Sequence, residues 1–285
     1  MNLKLAALCA ATLWGFTYII TTTMLPHNPV FIGAVRGLGG GLLLLAMARQ
    51  SVPAGYWPKL IVLGTLNFGA SFALLFVSAL RLPGGVAGTF QTLGPLLSIL
   101  FAWALLRQPP TPIKIGSVVV GAIGVALVIL RYDAGMDGWG VVAGLVSVAA
   151  GSLGGVLINR WGRPPETGLT TFTAWQLLVG GAELAVLALL LGDLPGSLDI
   201  TNVAGLAILA VALTALPFIL WYRAIVALSA PAVVPFILVT PIVAFILDAV
   251  IRNLVPSPLQ VVGVALVMAG LIVNQWAGNR APRPA

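Results

Sequence analysis

The sequence predicts an all-α membrane protein. It would have ten transmembrane helices arranged as a 5+5 inverted repeat, with both termini cytoplasmic. Three observations carry this. First, the 285 residues are 60% hydrophobic and only 7% charged, with a mean hydropathy of +1.09, whereas soluble domains are about 25% charged. Second, Pro, Gly and charged residues cut the chain into apolar runs of about 20 residues, the length that crosses a bilayer as a helix. Third, the chain reads twice. Arg36-Gly37-Leu38-Gly39-Gly40-Gly41 aligns with Gln176-Leu177-Leu178-Val179-Gly180-Gly181 (176 − 36 = 140), and Thr12-Leu13-Trp14-Gly15 aligns with Ser152-Leu153-Gly154-Gly155 at the same offset. Pro95, Pro110 and Pro112 align with Pro241, Pro256 and Pro258 (241 − 95 = 146). Five helices per copy is an odd number, so the second copy enters the membrane from the opposite face. The expected repeats are residues 1–135 and 136–285.

The first predicted span, 4–24, ends in Thr21-Thr22-Thr23-Met24 rather than a small-x-small cleavage site, and reads as a retained helix. The second, 29–48, carries Arg36 and the close-packing pattern Gly33-x-x-x-Gly37-x-x-x-Gly41. The third, 58–80, has Gly64, Asn67, Ser71 and Ser78 on one helical face. In the fourth, 84–106, Gly88, Gln91, Thr92 and Pro95 recur at helical spacing. Pro95 removes a backbone hydrogen bond and frees a carbonyl that water or a solute in a cavity would satisfy. The fifth, 113–131, follows Pro110-Thr111-Pro112, and the sixth, 139–159, contains Gly151-x-x-x-Gly155. The seventh, 168–191, holds Trp175, Gln176 and Glu183; the eighth, 201–226, ends near Trp221-Tyr222. The ninth, 231–251, repeats the polar-proline pattern as Thr240-Pro241 and ends near Asp248 and Arg252. The tenth is 258–277.

Lysine and arginine set the orientation. With the N-terminus inside, Lys4, Arg49, Lys59, Arg107, Lys114, Arg160, Arg163, Arg223, Arg280 and Arg283 lie inside. Only Arg81, Arg131 and Arg252 lie outside, and Arg36 is within a helix. The net charge of +7 is therefore a topology signal spread singly between spans, and no nucleic-acid partner is expected. One Cys and one His leave no disulfide framework and no metal site to build. No cofactor or nucleotide-binding motif is present: G-x-x-x-x-G-K-[ST] is missing.

These residues resemble the drug/metabolite transporter superfamily, specifically its ten-helix EamA-type exporters. Trp14-Gly15, Arg36, the paired prolines Pro95 and Pro241, and Thr111-Pro112 with Ser257-Pro258 followed by Gly116 and Gly263 carry the resemblance. Typical members have a Glu just after helices four and nine; here Gln108 and Leu254 stand there. In length, charge spacing and Trp/Tyr content the chain is most similar to the bacterial aromatic amino-acid exporters. The resemblance implies a multi-pass inner-membrane exporter of amino acids and related metabolites.

Polar residues inside a membrane are costly and mark pathways or packing contacts. The candidate substrate cavity comprises Trp14, Tyr18, Asn67, Ser71, Gln91, Thr92, Pro95, Trp175, Gln176, Thr240 and Pro241. Arg36 and Glu183 lie about seven and eight residues from the outer ends of repeat-equivalent helices, so both sit roughly 10–12 Å deep. At that depth they can meet near the pseudo-axis, as a gate or substrate-carboxylate site or as a structural ion pair; the alternative is that each snorkels to the outer interface. Asp248 and Arg252, four residues apart, read as a local surface pair. Trp57, Trp139, Trp161, Trp221-Tyr222 and Trp276 read as interface anchors. The expected activity is secondary transport of small zwitterionic metabolites, with a small-molecule substrate and the lipid bilayer as partners. Alternative cargoes are nucleosides, sugars or amphiphilic drugs. An intramembrane lipid-handling enzyme would need clustered His, Asp or a Ser/base pair, and a channel would need rings of like groups. The sequence supplies neither, and it specifies neither oligomeric state nor proton coupling.

Overall fold

The computed structural model describes residues 2–48, 51–130, 137–228 and 230–280. Among the described residues, ten helices are long and apolar enough to cross a bilayer: α1 Leu3–Met24, α2 Pro29–Ala48, α3 Ala54–Arg81, α4 Gly84–Leu106, α5 Pro112–Ile129, α6 Gly138–Trp161, α7 Leu169–Leu191, α8 Ile200–Leu228, α9 Val234–Ile251 and α10 Pro258–Gln275. Among the described residues there is no strand. Helices are the natural solution here, because each satisfies its own backbone hydrogen bonds in hydrocarbon. Only α3 departs from the expected bounds by several residues: a 3-10 turn at Ala54–Tyr56 runs into it and extends its start.

Glycine decides which helices touch. A Cβ at Gly37 of α2 would lie 2.8 Å from the Gly181 Cα of α7, and one at Gly124 of α5 would lie 2.6 Å from the Gly263 carbonyl of α10. These contacts bring backbone against backbone, the membrane equivalent of core packing. The first helix of each half packs against the other half. Helix α1 lies on α8 and α9, and α6 lies on α3 and α4. The space between them is therefore walled by both halves of the chain.

Four irregularities punctuate the helices. Helix α3 contains a π turn at Thr65–Ala70 and α8 another at Val211–Ala215 (211 − 65 = 146). Helix α4 breaks between Gln91 and Gly94, and α9 opens with a 3-10 turn at Val234–Leu238. The break in α4 falls at Thr92-Leu93, upstream of the proline. Pro95 sits in the first turn of the second piece, because its ring opposes the carbonyl four residues earlier, that of Gln91. Both α4 and α9 are followed by a residue in the left-handed region, Arg107 at φ 54° and Asn253 at φ 56° (253 − 107 = 146). The offset that relates the prolines also relates these turns and caps.

The surface is an apolar belt. Leu189, Leu190, Leu191, Val226 and Val250 are exposed, and a patch of this extent is what a bilayer covers. At the end opposite the N-terminus the halves are laced together. Asp193 accepts from the Val30 amide at 2.7 Å and the Asn28 side chain at 3.1 Å, capping α2. Asn202 donates to the Met24 carbonyl at 3.0 Å, and Arg81 pairs with Asp137 at 2.6 Å. Asp248 differs from the surface pair expected. Its Arg252 partner is there at 3.5 Å, but the carboxylate is only 2% exposed and accepts from the Gly85 amide at 2.9 Å. It caps the start of α4, whose first amides have no helical acceptor.

Candidate functional site

A cavity of about 250 Å³ lies between the two halves. Helix α1 contributes Trp14, Thr17 and Tyr18, α2 contributes Arg36, and α3 contributes Asn67, Phe68, Ser71, Phe72 and Leu75. The remaining walls are Gln91 and Thr92 of α4, Phe218 of α8, and Ile237 and Thr240 of α9. Seven of these wall residues were expected from sequence as cavity residues: Trp14, Tyr18, Asn67, Ser71, Gln91, Thr92 and Thr240. Asn67 lies in the π turn of α3, and Gln91 and Thr92 lie at the break in α4; π turns recur at functional sites.

Hydrogen bonds hold several of the polar wall residues in place. The Thr92 hydroxyl donates to the Thr89 carbonyl at 2.6 Å across the broken turn. Thr240 donates to the Ala11 carbonyl at 3.0 Å, tying α9 to α1. Gln91 lies 3.4 Å from the Ser147 hydroxyl, which itself donates to the Ser71 carbonyl at 2.8 Å. Trp14 packs edge-on to Phe218 at 5.5 Å and tilted to Trp221 at 5.2 Å. Trp221 is thus buried against α1 rather than anchored at an interface, since Trp14 offers it a ring partner.

Two further cavities continue the first. One of about 400 Å³ shares Asn67, Phe68 and Phe218 with it and adds Gln176, Thr173, Tyr222 and Arg163 among its walls. The next, about 730 Å³, shares Arg163, Leu169 and Tyr222 with that one. Leu3, Met47 and Arg223 also line it, at the N-terminal end of the bundle. The series runs from the basic end to the middle of the molecule. Phe218 partitions it, edge-on to Phe68 at 5.9 Å and stacked on Tyr222 at 5.8 Å.

Arg36 and Glu183 do not meet. On α2 it is Gly37, not Arg36, that faces α7, and one residue further back the side chain turns about 100° away. Arg36 is 4% exposed; its Nε donates to the Thr214 hydroxyl at 3.0 Å and its Nη2 to the Leu213 carbonyl at 3.3 Å. Both acceptors lie in the π turn of α8. The guanidinium stacks 4.5 Å from the Phe72 ring centre and 5.7 Å from Phe76. Glu183 instead accepts from the Thr65 hydroxyl at 2.7 Å and lines a separate apolar cleft with Leu187 and Leu190.

The repeat alignment places Gln176 where Arg36 stands in the first half. Gln176 accepts from Asn67 at 2.8 Å, and Asn67 lies in the π turn of α3. A polar residue on the second helix of each half therefore reaches the π turn of a third-position helix. One half uses a cation, the other an amide.

Three of the expected cavity residues lie elsewhere. Trp175 packs edge-on to Trp57 at 5.3 Å in an apolar cluster with Leu60 and Leu63. Pro95 and Pro241 act through the backbone: Pro241 packs near Gly88, where a Cβ would lie 3.5 Å from it. The sequence reading missed Thr17, Phe72 and Phe218. Thr17 is three residues after Trp14 and so shares its helical face, a signal that was available. Nothing in the local pattern distinguishes Phe218 from core. The side chain of Trp276 lies outside the described residues.

The EamA-like transporter family matches residues 3–130 and 138–275. The chain belongs to this family. The transporter is 35% identical over 96% of its length, and 93% of the relative, to a Dickeya dadantii protein named "Protein PecM". It is 24% identical over 98% of its length, and 96% of the relative, to a Salmonella typhimurium protein named "Probable amino-acid metabolite efflux pump". A solved crystal structure covers 98% of both chains with a TM-score of 0.67 at 20% identity, and shares the fold. The protein is a multi-pass membrane transporter and not an enzyme.

Proposed function

We propose that this transporter exports amino acids, aromatic ones included, and related small metabolites across a bacterial inner membrane. Alternating access between two inverted five-helix repeats is the mechanism, with both termini in the cytoplasm. The observation that carries the reading is the cavity of about 250 Å³, walled by aromatic rings and by Asn67, Gln91 and threonine hydroxyls. Rings for an apolar side chain beside amides and hydroxyls for polar groups suit an amino acid. The cytoplasmic orientation follows from the lysines and arginines at the wide end. The exchange of α1 and α6 between halves, and the turns and caps that recur at one offset, support the inverted repeat. The name of the Salmonella relative supports the substrate class.

Uptake of labelled Phe, Trp, Thr and Met into proteoliposomes, with a preloaded counterflow arm, tests this. Saturable flux that accelerates on preloading is the expected result. Absence of flux for all four in folded protein overturns the amino-acid reading, and nucleosides then come next. Running the assay with and without a pH gradient separates proton coupling from facilitated diffusion.

A further inference from the structure

We infer that Arg36 is the specificity-determining residue of the central cavity, and that the transported solute meets it with a carboxylate. The inference rests on the transport reading above and narrows its substrate to a class.

Arg36 is anchored on one side only. A guanidinium has five N–H donors. One Nε proton goes to Thr214 and one Nη2 proton to the Leu213 carbonyl. Nη1 is buried and has no hydrogen-bond partner among the described residues. Arg36 lines the cavity, and so does Thr17, whose buried hydroxyl is likewise unpartnered. Buried polar groups are normally paired, and exceptions call for a cause. Two such groups on the walls of one cavity have a common cause in a ligand that accepts from both.

No protein carboxylate answers the charge. Among the described residues lining this cavity and the two that continue it, none is Asp or Glu; the charged ones are Arg36, Arg163 and Arg223. Glu183, the carboxylate expected beside Arg36, is turned to Thr65. A buried cation without a counterion is costly. A solute carboxylate removes that cost and accepts charge-assisted bonds from the free edge of the guanidinium. The ring of Phe72 and the π turn of α8 hold the plane of the fork while the solute comes and goes. Arg163 and Arg223 at the wide end raise the local concentration of anions. The ammonium of an amino acid meets only neutral acceptors such as Asn67 and Gln91, so it contributes less than the carboxylate. Organic cations are disfavoured throughout.

Titration calorimetry on the purified, detergent-solubilised transporter tests this with three probes of one shape: Phe, 3-phenylpropionate (no amine) and phenethylamine (no carboxylate). Phe and 3-phenylpropionate are expected to bind with comparable Kd, and phenethylamine at least about tenfold more weakly, as loss of a charged hydrogen bond predicts. Arg36→Gln is expected to erase the difference, and Thr214→Val to reduce it by freeing one side of the guanidinium. Should Arg36→Gln fail to fold, the wild-type series and Thr214→Val still decide. Phenethylamine binding as tightly as Phe, or a folded Arg36→Gln that keeps the discrimination, overturns the inference. So does the absence of binding by both carboxylates. Binding of 3-phenylpropionate without Phe keeps the carboxylate inference and removes the amino-acid reading. Phe flux in proteoliposomes with equal phenethylamine binding does the reverse.

Discussion

Asp137 shows how much one side chain can do at a helix start. Its carboxylate caps α6 through the Gly140 amide at 3.1 Å and pairs with Arg81 at 2.6 Å. The Arg81 hydrogen bond, followed by that from Gly140, holds its carboxyl below the ordinary 3.8. A depressed carboxyl stabilises the fold above its unfolded value and loses that contribution as pH falls through the folded one. The thermal stability of wild type over Asp137→Asn is thus expected to be small but positive at neutral pH. It should vanish at pH well below 3.8. A difference that persists in acid removes the carboxylate from the account. Gly154 makes the complementary point inside the site. A Cβ there would lie 2.1 Å from Asn67 Oδ1. Gly154→Ala displaces the end of a flexible side chain, so it is expected to spare the fold and to break the Asn67–Gln176 bond. The measurement is flux at unchanged Tm; a lowered Tm with normal flux is the contrary result.

At the scale of elements, helix contacts are of two kinds. Where α2 meets α7, backbone lies on backbone, and Gly37→Val has no flexible neighbour to push aside. Overpacking of this sort costs roughly 1–3 kcal/mol, read as a lower Tm in detergent. Gly116 on α5 has nothing within 4 Å of its would-be Cβ, so Gly116→Ala is expected to be neutral or stabilising by about 0.5–1 kcal/mol. The cap on α4 is a third case. Asp248→Ala strands the Gly85 amide and loosens α9 from α4, at a cost of about 1–3 kcal/mol for a buried unsatisfied donor. Because this cap holds α9 against α4 beside the half-buried Leu254, the variant is also expected to raise the reactivity of a Leu254→Cys thiol toward aqueous reagents. Unchanged labelling separates the cap from the packing of α9.

For the whole molecule, the cavities enlarge from about 250 to 400 to 730 Å³ toward the N-terminal end, while Asp193, Asn202, Asp248 and the Arg81–Asp137 pair join the halves at the other. On the proposed transport mechanism, this is the geometry of a carrier open on its basic face. The chain has a single cysteine, Cys9, which makes the test simple. In a Cys9→Ser background, Thr170→Cys at the wide mouth is expected to react with a membrane-impermeant maleimide in inside-out vesicles and not in right-side-out ones. Reaction from the outside alone reverses the topology.

Class and span number were legible in the sequence, because burying about 20 apolar residues in lipid is a local requirement that each run meets by itself. The positions of nearly all ten helices follow from it, as do the cavity residues that share a helical face, such as Asn67 and Ser71. Which charges meet was a matter of rotation about helix axes, and helix length and depth leave that open. Depth alone paired Arg36 with Glu183; the close approach of Gly37 to Gly181 turned them apart. The π turns that receive Gln176 and Arg36 have no sequence signature. They form because neighbouring helices satisfy the groups they release, and only the tertiary structure supplies those neighbours.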